Sequence, residues 1–180
     1  MLNLEKQKEI KQRALQLFEK AKIPLTEREK NEELKIIECG NRDYYEIGLI
    51  ALTFIRTDFY GGRYIMFFPN QFCPLHIHPE TPGLQAKVET FRVLYGQVIK
   101  YSATKEQDDK LLNLDALSLR ELDYKNFVVL NEGEQAITVP EERHWYLGGS
   151  KGAIAMEIST TLKNEFTDQW PDITSKPVAY

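Results

Sequence analysis

Cysteine is scarce in this chain: two residues in 180, Cys39 and Cys73, far apart and in no CxxC pair. Two such cysteines read as reduced thiols in a cytoplasm. An excess of basic residues is missing too. The net charge is -4 with no dense basic run, so a nucleic-acid partner is not expected. No apolar run approaches the ~20 residues that span a bilayer, so no membrane role is expected. The opening LNLEKQKEIKQRA is charged and unlike a secretory signal. Internal repeats and low-complexity tracts are absent. Histidine is scarce as well, with three in the chain.

What is present describes an ordinary globular protein. At 42% apolar and 28% charged, the composition excludes disorder, and 180 residues suffice for one domain with a proper core. Nine Tyr and nine Phe beside eight Pro and ten Gly lean toward sheet and turns.

Apolar spacing predicts a helix from Leu4 to Ala21, with Ile10, Ala14, Leu17, Phe18 and Ala21 on one face. Ile23-Pro24 stops it. Thr26 with Glu29 three residues on forms a capping box that opens a second helix toward Ile36 or Ile37, ending near Gly40. Both helices are expected outside a β core, covering an edge or a partner subunit. From Tyr44 the pattern changes to short β-rich runs between turn residues. The runs include Tyr45 to Ile55, Tyr64 to Phe68, Gln71 to His78, Val88 to Tyr95, Gln97 to Ser102, Phe127 to Leu130, Gln135 to Val139, His144 to Leu147 and Ala153 to Ser159. Gly61-Gly62, Pro69-Asn70, Glu132-Gly133 and Gly148-Gly149 punctuate them. That is an all-β sandwich or barrel. Residues 1–40 are expected as an N-terminal helical extension and 41–180 as the barrel, within one structural domain. Ala103 to Lys125 reads as an excursion between the two halves of the barrel. The tail after Ser159, with Trp170, reads as extended over the surface or a partner.

All three histidines fall in two of these stretches. His76 and His78 stand two apart, so on an extended strand they point the same way. Glu89 follows in a β-like run that a hairpin could bring back beside them, and His144 comes just after Val139-Pro140. A mixed imidazole and carboxylate shell suits Mn, Fe, Co, Ni or Zn, and spacing does not choose among them. The alternative is a pair of histidines in a polar pocket with the third nearby by coincidence.

These stretches resemble the two motifs of the cupin superfamily. Glu89 and Gly96 keep its six-residue gap, and Gly133, Pro140 and His144 match its second motif approximately. Two departures stand out. Ten residues separate His78 from Glu89, more than the general motif has, and no glycine stands between Pro140 and His144. CPLHIHP, then KVETFRVLYGQV, then ITVPEERHWYLGGSKGAIAMEIST closely resemble one cupin branch, the bacterial D-lyxose isomerases. The likeness extends over most of the chain, including LTEREKNEELKII near the start. The tail STTLKNEFTDQWP is shorter than the family's, which bears on Glu165 and Asp168.

The resemblance implies an all-β cupin (double-stranded β-helix, jelly-roll barrel) with two N-terminal helices packed outside. It implies a metal-dependent aldose–ketose isomerase that interconverts D-lyxose with D-xylulose, and D-mannose with D-fructose, through an enediolate. Carried over residue by residue, His76, His78, Glu89 and His144 would hold a divalent metal, manganese by usual assignment, with Co2+, Ni2+, Fe2+ or Zn2+ as alternatives. Lys87 lies two before Glu89 and would face the same pocket, its pKa depressed by the nearby cation, as an acid or hydrogen-bond donor. Glu157, in the apolar alternation of IAMEIS, is the first choice for general base, and Asp168 with Glu165 the second. Phe91 and Trp145 are expected to line or pack the pocket. Arg92 and Arg143 could bind an anionic substrate. The resemblance also implies a small sugar substrate and a homodimer. Competing readings are a cupin phosphosugar isomerase, a cupin dioxygenase, and a metal- or sugar-binding cupin without turnover.

Overall fold

In a computed structural model, residues 2–39, 43–80, 82–83, 85–103, 127–160 and 178–179 are described. Helix α1 spans Leu4–Lys20. The Asn3 side chain caps it, accepting from the Lys6 N–H at 2.8 Å. At its other end Lys22 takes a left-handed φ of 57°, the Lys22 N–H donates to Glu19 and the Ile23 N–H to Phe18. That pair of bonds closes the last turn just before Pro24 stops the chain from continuing.

The expected capping box is present. The Thr26 N–H donates to Glu29 Oε2 at 2.7 Å, and the Glu29 N–H donates to Thr26 Oγ1 at 3.2 Å. The segment it opens is shorter than expected: a π-helical turn over Glu29–Glu33, after which the chain is extended as β1, Leu34–Glu38. The periodicity of LKII fits both structures, and here the sheet wins. β1 pairs along its whole length with β2, Gly48–Arg56, and the β-branched Ile36 and Ile37 suit that surface.

The remaining strands are β3, Gly61–Phe67; β4, Phe72–His76; β5, Glu89–Ala103; β6, Phe127–Asn131; β7, Gln135–Thr138; β8, Arg143–Ser159; and β9, Val178–Ala179. All ladders between them are antiparallel. Two long strands organise the fold. The first part of β5 pairs with β7 and with the end of β8, which continues the sheet through β3, β2, β1 and β9. The second part of β5 pairs with β6 and with the start of β8, which also carries β4. Thus β5 and β8 belong to both layers of a jelly-roll barrel, the all-β cupin architecture expected.

The runs expected to be separate on either side of Gly96, and on either side of Gly148-Gly149, are therefore single strands. The glycines bend them rather than end them. Gly96 and Gly152 take positive φ values of 75° and 78°, and the β5–β8 register shifts at this level. A Cβ on Gly96 would stand 2.1 Å from the Gly152 carbonyl oxygen, so the two backbones cross where no side chain fits.

Alternate residues of the same strands feed two cores. Leu49, Ala51, Ile65, Phe67, Cys73, Phe91, Val93, Val98, Leu130, Tyr146, Ala153 and Ala155 fill the barrel. Leu34, Ile36, Ile50, Leu52, Met66, Phe68 and Ile154 face outward and are covered by Ile10, Ala14 and Phe18 of α1. Asp168, Glu165 and Trp170, and most of the Ala103 to Lys125 excursion, lie outside the described residues.

Candidate metal centre and active site

β4 and β8 bring the histidines together. His76 is the register partner of His144, and His78 follows two residues after His76. All three rings are buried, with centroids 4.2 Å apart for His76–His144, 4.9 Å for His76–His78 and 5.2 Å for His78–His144. One nitrogen from each lies within 4.8 Å of the others. Two of the rings are oriented by backbone. His76 Nδ1 lies 2.9 Å from the Pro74 carbonyl oxygen, and His144 Nδ1 lies 2.9 Å from that of Glu142. A carbonyl only accepts, so each Nδ1 carries the proton, and in the neutral ring Nε2 then keeps its lone pair.

Glu89 opens β5 beside this cluster. Its Oε1 is 3.2 Å from His78 Nε2, and its Oε2 is 3.7 Å from His144 Nε2. Burial pushes its pKa up, but the charges of His78 and Lys87 outweigh that and hold it well below the usual carboxylate range. His144 moves the other way: burial, then the neighbouring His78, lower it to about 3. So Glu89 is an ionised carboxylate and His144 a neutral imidazole, the protonation states in which these groups are ligands. His144 Nε2 is buried with no hydrogen-bond partner among the described residues. A lone pair in that position carries a desolvation cost unless a cation or a proton donor meets it.

The second part of the site is a row of charges, buried at Lys87, Glu89 and Glu157 and partly buried at Arg63. Lys87 is 1% exposed, with Nζ 2.5 Å from Glu89 Oε1 and 3.3 Å from Glu157 Oε1. Glu157 lies on β8, directly across the ladders from Phe91 of β5 and Arg63 of β3. Arg63 Nε donates to Glu157 Oε1 at 2.9 Å, and its Nη2 is 3.9 Å from Glu89 Oε1. Burial lowers the Lys87 pKa, but Glu157 and Glu89 outweigh it and the net shift is upward. The expected depression is tied to a bound cation, whereas the shift here comes from the two carboxylates that face the ammonium. Lys87 is therefore a cationic donor at neutral pH.

Phe91 stacks on Tyr146 at 4.4 Å and forms the apolar floor. Trp145 is the neighbour of His144 in sequence, so it points to the opposite side of β8, where it packs on Phe72 and Tyr101. Arg92 points outward and donates to Gln135. Sequence reasoning missed Arg63 and the pair Lys100–Glu142. Arg63 shares a strand face with Ile65 and Phe67, both in the barrel core. Lys100 shares one with Val98. A lone cation in an apolar alternation was the signal in both cases.

No family model matches the chain. Curated relatives do. The chain is 34% identical over 171 residues, 93% of its own length and 94% of the relative's, to a D-lyxose/D-mannose isomerase of Thermosediminibacter oceani. It is also 34% identical over 174 residues to a D-lyxose ketol-isomerase of Cohnella laeviribosi, covering 95% of the chain and 94% of that protein. Among solved structures, L-ribose isomerase of Cellulomonas parahominis with L-ribose superposes with a TM-score of 0.64 at 16% identity, over 89% of this chain and 84% of that one. At that identity the superposition speaks for the fold alone.

Proposed function

The chain belongs to the D-lyxose isomerase family of aldose–ketose isomerases, and from that premise we propose that it interconverts D-lyxose with D-xylulose, and D-mannose with D-fructose. One observation carries the reading. Three buried histidines gather their nitrogens at one point, the Glu89 carboxylate lies beside two of them, and a buried lysine–glutamate pair stands next to it.

His76, His78, His144 and Glu89 would hold a divalent metal, and the lone pair of His144 Nε2 in a buried position fits that assignment. Manganese is the proposed ion. When bound, it would supply Lewis-acid polarisation of the sugar carbonyl. The protein's own groups do the rest. Isomerisation of an open-chain aldose removes the proton from C2 and returns one to C1, while the oxygen-bound proton moves from O2 to O1. Glu157 is the proposed base that takes the C2 proton and returns it to C1. Arg63 and Lys87 hold its carboxylate in place. The Lys87 ammonium donates a hydrogen bond to the sugar oxygen that gains negative charge as C2 loses its proton. Burial of Lys87, Glu89 and Glu157 keeps these interactions undiluted by solvent. Asp168 is proposed as a further carboxylate for the sugar hydroxyls.

Among the described residues, the cations that reach this row, Arg63 and Lys87, each face carboxylates. That supports a neutral sugar over a phosphorylated one. The homodimer and the cytoplasmic location expected from the resemblance are part of the same proposal, and sedimentation at micromolar concentration tests the first. No described helix is long and apolar enough to cross a membrane.

The deciding experiment is turnover of D-lyxose and D-mannose after chelator treatment and again after Mn2+ is restored. Activity that vanishes and returns supports the proposal. No isomerisation with any of Mn2+, Co2+, Ni2+, Fe2+ or Zn2+ would overturn it.

A further inference from the structure

Behind His144 lies a polar cluster that the proposed chemistry does not use. The turn Val139-Pro140-Glu141-Glu142 leads into β8, closed by the Glu142 N–H donating to the Val139 carbonyl at 3.1 Å. Its third residue, Glu141, sits at φ 60°. A turn of this geometry favours glycine or asparagine there, and a side chain strains it. No glycine stands between Pro140 and His144 to relieve it. Something must hold the turn against that strain, because the Glu142 carbonyl is the acceptor that orients the His144 ring.

Glu142 is held at every polar atom. Its Oε1 accepts from Lys100 Nζ at 2.7 Å and from Ser102 Oγ at 2.5 Å, and its Oε2 accepts from the Val139 N–H at 2.9 Å. Lys100 is 3% exposed and also donates to the Ile137 carbonyl at 2.8 Å, which ties β7 to the same point. Ser102 is the register partner of His144 across β5–β8, so the cluster stands directly beside the ring. A lysine in that position is costly to bury unless it serves a carboxylate, and this carboxylate belongs to the residue whose backbone oxygen receives the His144 Nδ1 proton.

We propose that Lys100, Ser102 and Glu142 form a positioning clamp for His144. The clamp fixes the strained turn so that the Glu142 carbonyl holds the proton on Nδ1 and leaves Nε2 aimed at the centre. The inference rests on the metal-site reading above. Lys100 and Glu142 act through the Glu142 carbonyl on the His144 ring, so the role proposed for them is positioning rather than catalytic.

The test uses the full chain, stripped with chelator, in four forms: wild type, Lys100→Met, Glu142→Gln, and the double variant that removes both charges together. Mn2+ affinity is read from the free-ion electron paramagnetic resonance signal. The His144 tautomer is read from 15N–1H correlation spectra of the metal-free protein, where only three imidazoles contribute. In wild type, His144 is protonated on Nδ1. The variants are expected to lose about tenfold to a hundredfold in Mn2+ affinity, with the His144 signals moving toward a mixture of tautomers. A cluster that merely stabilised the fold would lower the melting temperature and leave the tautomer unchanged, and that result overturns the proposal. So does wild-type Mn2+ affinity in all variants. Where a single-charge variant fails to fold, Ser102→Ala, which buries no unpaired charge, gives the same two readouts with a smaller expected shift. If wild type itself binds no Mn2+, the metal-site reading falls, and the tautomer measurement still decides whether the clamp orients His144.

Discussion

The two faces of the β2–β3–β8 sheet are made by alternate residues of the same strands, and they are built to opposite rules. The outer face, Ile50, Leu52, Met66, Phe68 and Ile154 against α1, is apolar throughout. The inner face begins the same way with Leu49, Ala51, Ile65, Phe67, Ala153 and Ala155, then turns to Arg63 and Glu157 at one end. Both faces exclude water. Among the described residues the inner one pairs charges there, and it can do so because Arg63 and Lys87 each meet a carboxylate at close range. Burial alone therefore does not distinguish a stabilising layer from a reactive one. The content of the alternation does.

The sharpest way to separate the faces is Glu157→Gln. It removes the proposed base and keeps the volume, so kcat should fall by about 10^2–10^4 while Mn2+ still binds. Turnover and metal stoichiometry measured on one preparation check this, and retained activity would place the base elsewhere. Phe18→Ala attacks the outer face. It deletes a buried ring that packs edge-on against Tyr64, and should cost about 3–5 kcal/mol of stability with kcat unchanged in the protein that remains folded. Urea unfolding beside initial rates would show it, and a parallel loss of kcat would mean that the faces are not independent.

A third prediction concerns pH in the metal-free protein. His144 titrates near 3 when folded, because it is buried and next to His78, and near 6.5 when unfolded. Between those values the unfolded chain binds a proton that the folded one refuses. Stability is therefore fully present above about 6.5 and is lost as pH falls toward 3, with a slope of at most ~1.4 kcal/mol per pH unit for this group. Glu89, also held low, adds a loss of the same sign below the ordinary carboxylate range. Chelator-treated protein melted at pH 7.5, 6 and 5 (chosen conditions, roughly spanning the upper window) should show a falling midpoint. A flat profile would contradict the burial of a neutral His144. The smallest effect is expected farthest from both faces. Thr26→Ala breaks the capping box with Glu29 and should cost about 1 kcal/mol, visible in unfolding and silent in turnover.

Local chemistry made some of this legible in advance. The α1 periodicity, the Thr26 capping box and the stop at Pro24 need only near neighbours. The His-x-His spacing, Glu89 and His144 were readable because few residue types can hold a metal and the chain has just three histidines. Other features were hidden because local pattern is ambiguous. LKII suits a helix or a strand, and only the ladder with β2 decides for β1. Gly96 and Gly148-Gly149 look like turns, yet the strands continue through them because the neighbouring backbones cross there.

The sequence by itself determined which groups could do chemistry, since the identity and scarcity of histidine and the alternation that turns Glu89 and Lys87 to one side are local properties. Tertiary structure decided what those groups are. The pairing of β4 with β8 puts His76 opposite His144, and the β3–β8–β5 ladders put Arg63 and Phe91 on either side of Glu157. Those contacts join residues far apart in the chain, and they set charge as well as place. Lys87 is held cationic by two carboxylates, and His144 is held neutral by burial beside another imidazole. A protonation state depends on the field at a point in space, and no single stretch of chain carries that field.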